Sequence, residues 1–258
     1  MGFPQLTVRD IAFVAIFAAL SVVVEVLLPG IPIIGVSGAQ ITLDAVLAPI
    51  YGLVLGPYLG ALAALIGGLV VARSPFSVLT SFCPCISAFV AGMITKKYYR
   101  INNHSVNGWM IAAATLGLLI LGWYFTWVGL EAPFYPVLHL IGLVIILVLQ
   151  VRLANFFLQG DKGKLTVAVA LSSYCGLISD HMLGNLIFIS VIGWLIPVDA
   201  VQAWLTGLHL PTVGALFMYV LPISAVERGV MTVVATLIGV SLILALRAAR
   251  FMPRREEI

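Results

Sequence analysis

The chain of 258 residues is 62% hydrophobic and only 9% charged, with a mean hydropathy of +1.16. Soluble domains are about 45–50% apolar and about 25% charged, so this composition indicates an integral membrane protein and excludes a separate soluble nucleotide-binding module. The formal net charge of +3 comes from small basic clusters beside apolar segments, which excludes a nucleic-acid-binding surface, and the three cysteines do not suggest a disulfide framework.

Six apolar segments have the length of a membrane-spanning helix. They cover residues 8–28, 76–95, 109–129, 135–157, 166–196 and 225–246. A further apolar stretch, 40–71, carries small residues at every fourth position and is interrupted by Gly56 and Pro57. We interpret this stretch as two short helices joined by a turn. The sequence therefore predicts an all-α integral membrane protein, a polytopic bundle of about eight transmembrane helices.

The distribution of basic residues supports the two-helix interpretation. With the N-terminus inside, eight crossings place every Lys and Arg on the cytoplasmic side except Arg73 and Arg228. A single helix at 40–71 would reverse every later segment and scatter the basic clusters over both sides. We therefore expect a multi-pass protein of the cytoplasmic membrane, in contact with membrane lipid, with both termini in the cytoplasm.

The N-terminal third of the chain resembles a known family of membrane proteins. Its first helix carries small residues at Ala12, Ala15 and Ala19, a loop rich in Pro and Gly follows, and then comes LDAVLAPIYGLVLGPYLGALAALIGG. This arrangement is similar to the substrate-binding S components of energy-coupling factor (ECF) vitamin transporters. The resemblance implies that Ala15 and Ala19 dock on a transmembrane coupling subunit, that the 29–42 loop gates the substrate pocket, and that partner ATPase subunits supply energy.

The resemblance also implies a domain organisation. The likeness is clearest over 8–97 and weaker over 166–247, so we expect a single transmembrane domain, 1–258, with these two parts as its core. S components usually have six helices. The helix pair at 109–157 is therefore interpreted as an insertion.

Neither a metal nor another cofactor is expected. Family members that carry cobalt or nickel have an N-terminal segment containing His, whereas the chain begins with MGFPQLTVRD. Cys83-Pro-Cys85 resembles a motif of soft-metal pumps, but the sequence shows no ATPase domain beside it. We interpret the two cysteines as small buried apolar residues.

Polar residues inside the apolar segments are candidates for substrate binding, because an ionisable group in lipid is costly. The sequence SDHMLGN places His181 and Asn185 one helical turn apart on one face, and Asp180 on the adjacent face. These three residues form either a self-satisfied buried network or a cavity wall that binds substrate. The other candidates, nearer the ends of the segments, are Glu25, Arg73 and Arg228.

The last apolar segment poses a question about Arg228. Ser224 and Glu227 fit a capping box for a helix that runs over 225–246. Arg228 would then lie in the first turn, where a cation opposes the helix dipole, and Glu227 would point about 100° away. Arg228 therefore requires an anion from elsewhere, either a carboxylate or an anionic group of the substrate. The carboxylates considered are those of Glu25, Glu131 and Asp180.

Five aromatic residues fall near the predicted outer boundary of the membrane. They are Trp123, Tyr124, Trp127, Tyr135 and Trp194. An interfacial belt explains such a group. Trp127 is our candidate for a ring that stacks on a planar vitamin.

These observations predict a membrane-embedded substrate-binding subunit of a vitamin or other micronutrient importer. It captures a small water-soluble molecule from the outer face, in a cavity between helices one, two, three, four, seven and eight. Arg73, Arg228 and His181 suggest that this molecule has an anionic group. Two alternatives stay open: an intramembrane enzyme acting on a lipid-linked substrate with Asp180 and His181 as an acid-base pair, and a membrane assembly factor that binds no substrate.

Overall fold

The computed structural model describes residues 7–27, 31–32, 40–41, 44–101, 104–159 and 161–251. Its helices are α1 Val8–Leu27, α2 Asp44–Leu55, α3 Pro57–Val71, α4 Pro75–Thr80, α5 Phe82–Thr95, α6 Gly108–Tyr124, α7 Trp127–Glu131, α8 Val137–Leu149, α9 Val151–Leu158, α10 Lys162–Val191, α11 Val198–Gly207 and α12 Val213–Ala248. Two small antiparallel hairpins accompany them, β1 Ile31–Pro32 with β2 Gln40–Ile41, and β3 Tyr99–Ile101 with β4 His104–Val106. The predicted all-α membrane class is therefore confirmed.

The apolar stretch 40–71 forms two helices that fold back on one another, as predicted. Gly56 separates α2 from α3 with a φ of 82°, and Pro57 begins α3. A Cβ atom on Gly60 would lie 2.5 Å from the Tyr51 carbonyl oxygen, although these residues would be well over 10 Å apart along a continuous helix. Glycine at position 56 supplies the positive φ that this reversal requires.

Helix α5 packs against both arms of this helical hairpin through glycine. A Cβ atom on Gly52 would lie 1.8 Å from the Ala88 carbonyl oxygen, and one on Gly92 would lie 2.7 Å from the Gly52 carbonyl oxygen. Backbone therefore contacts backbone where α2, α3 and α5 meet, which is the packing mode of small residues in membrane helices. We call Gly52, Gly60 and Gly92 the glycine seam.

The last helix begins earlier than the sequence predicts. Helix α12 starts at Val213 after Thr212, whose hydroxyl accepts a hydrogen bond from the Ala215 amide at 3.1 Å. Ser224 is buried inside this helix, so the predicted start at 225 and the predicted capping box are wrong. The predicted segment, 225–246, is therefore only part of α12, whose 36 residues span about 54 Å, much more than the ~30 Å hydrocarbon core.

The structure supports several crossings without fixing their number. Among the described residues, four helical segments are long and apolar enough to cross a membrane: α1, α4 with α5, α10 and α12. The pair α8 and α9, bent by 75°, would be a fifth span, and α2, α3 and α6 are shorter apolar helices. The eight crossings therefore stay a prediction.

The two ends of the described chain lie together. Arg9 in the first turn of α1 donates a hydrogen bond to the carbonyl of Phe251, just beyond α12. Its guanidinium also lies over the rings of Phe13 and Phe251, 5.5 and 5.6 Å from their centroids. The start of α1 and the end of α12 therefore lie on the same side of the bundle. That this side faces the cytoplasm is still a prediction.

Candidate functional site

A group of polar side chains meets where α10 and α12 approach the start of α8. The residues belong to the α7–α8 connection, the first turn of α8, and the middle parts of α10 and α12. We call this group the polar cluster. Its members are Tyr135, His139, His181, Asn185, Glu227 and Arg228.

Tyr135 holds the α10 side of the polar cluster together. Its side chain is fully buried, and its hydroxyl accepts a hydrogen bond from Asn185 Nδ2 at 3.0 Å. The same hydroxyl lies 3.3 Å from His181 Nε2. The hydroxyl can donate to His181 Nε2 or accept from it, and the tautomer of the imidazole decides between the two.

His139 extends this arrangement into α8. Its ring is fully buried and stacks on the ring of His181, with centroids 5.3 Å apart and planes 17° apart. The sequence analysis missed His139. The sequence did contain a signal for it. His139 is a polar residue inside the predicted apolar segment 135–157, four positions after Tyr135, a spacing that places two side chains on the same face of a helix.

Arg228 pairs with the residue beside it. Its Nη2 atom lies 2.8 Å from Glu227 Oε1, and both side chains are nearly buried. The prediction that Glu227 points away from Arg228 is therefore wrong. The dipole argument is wrong as well, because Arg228 lies in the middle of α12 and not in a first turn. A long Arg side chain can reach back across the helix surface, which an angle between neighbouring Cβ atoms does not show.

Four buried nitrogen atoms of the polar cluster have no hydrogen-bond partner within the part of the chain that the structure describes. They are Nδ1 and Nε2 of His139, Nδ1 of His181 and Nε of Arg228. Leaving a buried donor unsatisfied costs about 1–3 kcal/mol, so such atoms are expected to meet a ligand or water in the working protein. Arg228 is close enough to interact electrostatically with His139, His181 and Tyr135.

An aromatic wall supports the polar cluster. Trp123 and Tyr135 are fully buried and stack with centroids 4.6 Å apart, and the edge of Phe217 packs against both rings. The indole nitrogen of Trp123 donates to the Ala132 carbonyl at 3.3 Å. The predicted interfacial belt is thus wrong for Trp123 and Tyr135, because the α6–α8 connection folds them inward. Trp127 and Trp194 are 49% and 67% exposed.

The predicted binding residues are only partly brought together. His181, Asn185 and Arg228 lie in the polar cluster, and Asp180 is buried next to His181 on α10. Cys83, at the start of α5, packs against α10 at Gly184, where a Cβ atom would lie 3.6 Å from the Cys83 sulfur, so α5 closes one side of the cluster.

The remaining predicted binding residues lie in other parts of the molecule. Glu25 is partly buried near the end of α1, which packs on α2 and α3. Arg73 is exposed between α3 and α4, where its amide donates to Ser77 Oγ at 2.8 Å. Trp127 is half exposed at the start of α7. A role of these three residues in binding stays a prediction.

The predicted docking residues lie on an outward face of α1. Ala15 and Ala19 are exposed, together with Ile16 and Leu20, whereas Val14, Phe17 and Ala18 face the bundle. The predicted gate, 29–42, lies outside the described residues except for the two short strands β1 and β2. Among the described residues, no group of three or more His, Cys, Asp or Glu side chains is arranged to hold a metal ion.

Comparisons with known proteins identify relatives of the chain. The sequence profile of the family described as "ECF-type riboflavin transporter, S component" matches residues 5–156, more than half of the chain. The uncharacterized protein MJ0923 of Methanocaldococcus jannaschii is 25% identical over 193 residues, which make up 73% of this chain and 56% of that protein. The chain thus covers little more than half the length of this curated relative. No solved structure matches it.

Proposed function

Because the chain belongs to the family of S components of ECF-type riboflavin transporters, we propose that it is the substrate-binding subunit of an importer for a small water-soluble vitamin or related micronutrient. Family members are transporter subunits and not enzymes. Membership of this family therefore argues against the alternative of an intramembrane enzyme with Asp180 and His181 as its acid-base pair. Riboflavin, the compound in the family's description, is the first compound to test.

The polar cluster is the proposed binding site. The observation that carries this assignment is the group of buried nitrogen atoms of His139, His181 and Arg228 that have no partner among the described residues. They lie beside the Tyr135 hydroxyl network. A purely structural network is expected to satisfy its own buried donors. A bound molecule with hydrogen-bond acceptors supplies the missing partners and adds apolar contacts along the aromatic wall.

A binding assay on the purified full-length chain tests this function. Native mass spectrometry reports any compound that copurifies, and a thermal-shift panel of water-soluble vitamins that includes riboflavin reports added ligands. In Tyr135→Phe the ring stack stays, but the hydroxyl bridge to His181 and Asn185 is lost, so affinity is expected to fall about tenfold. Tyr124→Phe is the matched control, because it removes an exposed hydroxyl that donates to the Pro133 carbonyl. Equal losses in both variants, or no binding of any compound, would contradict the proposal.

Energy for inward release is proposed to come from a transmembrane coupling subunit with ATPase partners. In this proposal Ala15 and Ala19 form the docking surface, because small exposed side chains let a partner helix approach closely. Ala15→Trp is expected to abolish copurification with these partners while ligand binding is retained. Ala114→Trp, at an exposed small residue of α6, is the matched control. Loss of ligand binding in Ala15→Trp would instead indicate a folding defect.

The proposed orientation has both termini and most basic residues in the cytoplasm and eight crossings of the membrane. Cysteine-accessibility labelling of Arg73→Cys and Lys97→Cys in intact cells tests it. Both side chains are exposed, and the proposal predicts labelling from opposite sides. Labelling of both cysteines from the same side of the membrane would contradict the eight-span topology.

A further inference from the structure

The charges of the polar cluster do not favour an anionic ligand. Arg228, the cation here, is already paired with Glu227 at 2.8 Å. Asp180, buried on α10 next to His181, adds a further carboxyl group to this part of the bundle. The Glu227–Arg228 pair itself has no net formal charge. Among the described residues of the cluster, an anionic ligand therefore finds no unpaired arginine or lysine to offset the loss of its own hydration.

The unpartnered atoms favour acceptor groups without a formal charge. Arg228 Nε offers one N–H to a ligand, and a carbonyl or ring nitrogen satisfies that N–H as well as a carboxylate does. The rings of Tyr135, His139 and His181 form an aromatic surface nearby, in which the two histidines are stacked with their planes 17° apart. Such a surface suits a planar ring.

The family match does not cover most of these groups. It ends at residue 156, whereas α10 and α12 follow it. Tyr135 and His139 lie inside the matched range, but His181, Asn185 and the Glu227–Arg228 pair do not. The charge preference of the site is therefore a property that this chain's own C-terminal helices determine.

Resting on the proposed function, we infer that Glu227 is a specificity-determining residue. It neutralises Arg228 and, with Asp180, makes the site accept uncharged ring compounds and reject anionic derivatives of the same compounds. This inference reverses the anionic substrate expected from the sequence, because that expectation treated Arg228 as a cation without a carboxylate partner. It is also more specific than the family assignment, since it names the residue that makes the site bind the neutral form of a compound more tightly than its anionic form.

Matched ligand pairs on the purified full-length chain test the inference. The probes are riboflavin with riboflavin 5′-phosphate, pyridoxine with pyridoxine 5′-phosphate, and nicotinamide with nicotinate. For any pair that binds, the neutral member is expected to bind at least about tenfold more tightly in the unmodified protein. In Glu227→Gln the preference is expected to shrink by about tenfold, because Arg228 gains an unneutralised charge. Asp199→Asn, at an acidic residue in the first turn of α11, is the control and is expected to leave the ratio unchanged.

Each outcome is decisive. Equal or tighter binding of the anionic member in the unmodified protein would overturn the inference and leave the proposed function standing. An unchanged ratio in a folded Glu227→Gln variant would overturn the role of Glu227. If Glu227→Gln does not fold, the ratio in the unmodified protein still decides the charge preference, and Glu227→Asp, which keeps the carboxylate, is expected to preserve it. Failure of every compound to bind would remove the proposed function and this inference together.

Discussion

The glycine seam and the polar cluster are two buried regions of one bundle with opposite packing. In the seam, backbone meets backbone, and a Cβ atom on Gly52 would lie 1.8 Å from the Ala88 carbonyl oxygen. In the polar cluster, polar side chains of three helices adjoin one another, and the described residues supply no partner for His181 Nδ1 or Arg228 Nε. The seam has no spare atoms to offer a ligand, whereas the cluster has unsatisfied ones. The comparison therefore predicts that seam substitutions act on folding and cluster substitutions act on binding.

The largest effect is expected in the seam. Gly52→Val places side-chain atoms inside the Ala88 backbone, which no rotamer change relieves, so the variant is expected to lose about 3 kcal/mol or more and to be recovered in low yield. Size-exclusion profiles and melting temperatures measure this loss. Gly117→Ala is the control, because nothing lies within 4 Å of a Cβ atom there. It is expected to be neutral or to gain about 0.5–1 kcal/mol in helix propensity. A normal melting temperature for Gly52→Val would refute the close contact.

An intermediate effect is expected from breaking the ion pair of the cluster. Arg228→Gln leaves the nearly buried Glu227 without its partner, so a loss of about 3 kcal/mol is expected from its unpaired charge. The double variant Glu227→Gln with Arg228→Gln removes both charges and is expected to recover most of that loss. Thermal melting of the single and double variants makes up a double-mutant cycle. Additive losses would show that the two side chains do not stabilise one another.

The smallest effect is expected outside both regions, at the start of α12. Glu131 Oε2 accepts a hydrogen bond from the Gly214 amide at 3.0 Å, and its charge complements the N-terminus of this helix. Glu131→Gln keeps the size of the side chain and removes the charge, so a loss of about 0.5–1 kcal/mol is expected, with ligand affinity unchanged. Asp199→Asn is again a suitable control. A large loss of affinity would extend the binding site to the α7–α12 contact.

Much of the helical framework could be predicted from the sequence. Apolar length located the membrane segments, and the Gly56-Pro57 joint predicted that 40–71 forms two helices, because these residues end a helix by local geometry alone. The polar face of α10 with His181 and Asn185 was predicted for the same reason, since helical periodicity fixes which residues are neighbours on one helix.

The polar cluster as a whole was decided by tertiary structure. Tyr135 looks like an interfacial aromatic and His139 like an isolated residue until the α6–α8 connection turns both toward α10. Glu227 and Arg228 were assigned to a helix start because Ser224 and Glu227 fit a capping box, whereas the apolar turns from Val213 to Ile223 belong to the same helix. Helix ends and helix faces depend on residues that are neighbours in the chain, so they can be predicted from the sequence. Which helices face one another depends on packing over the whole bundle, and that alone determined which polar atoms meet and which stay unpartnered.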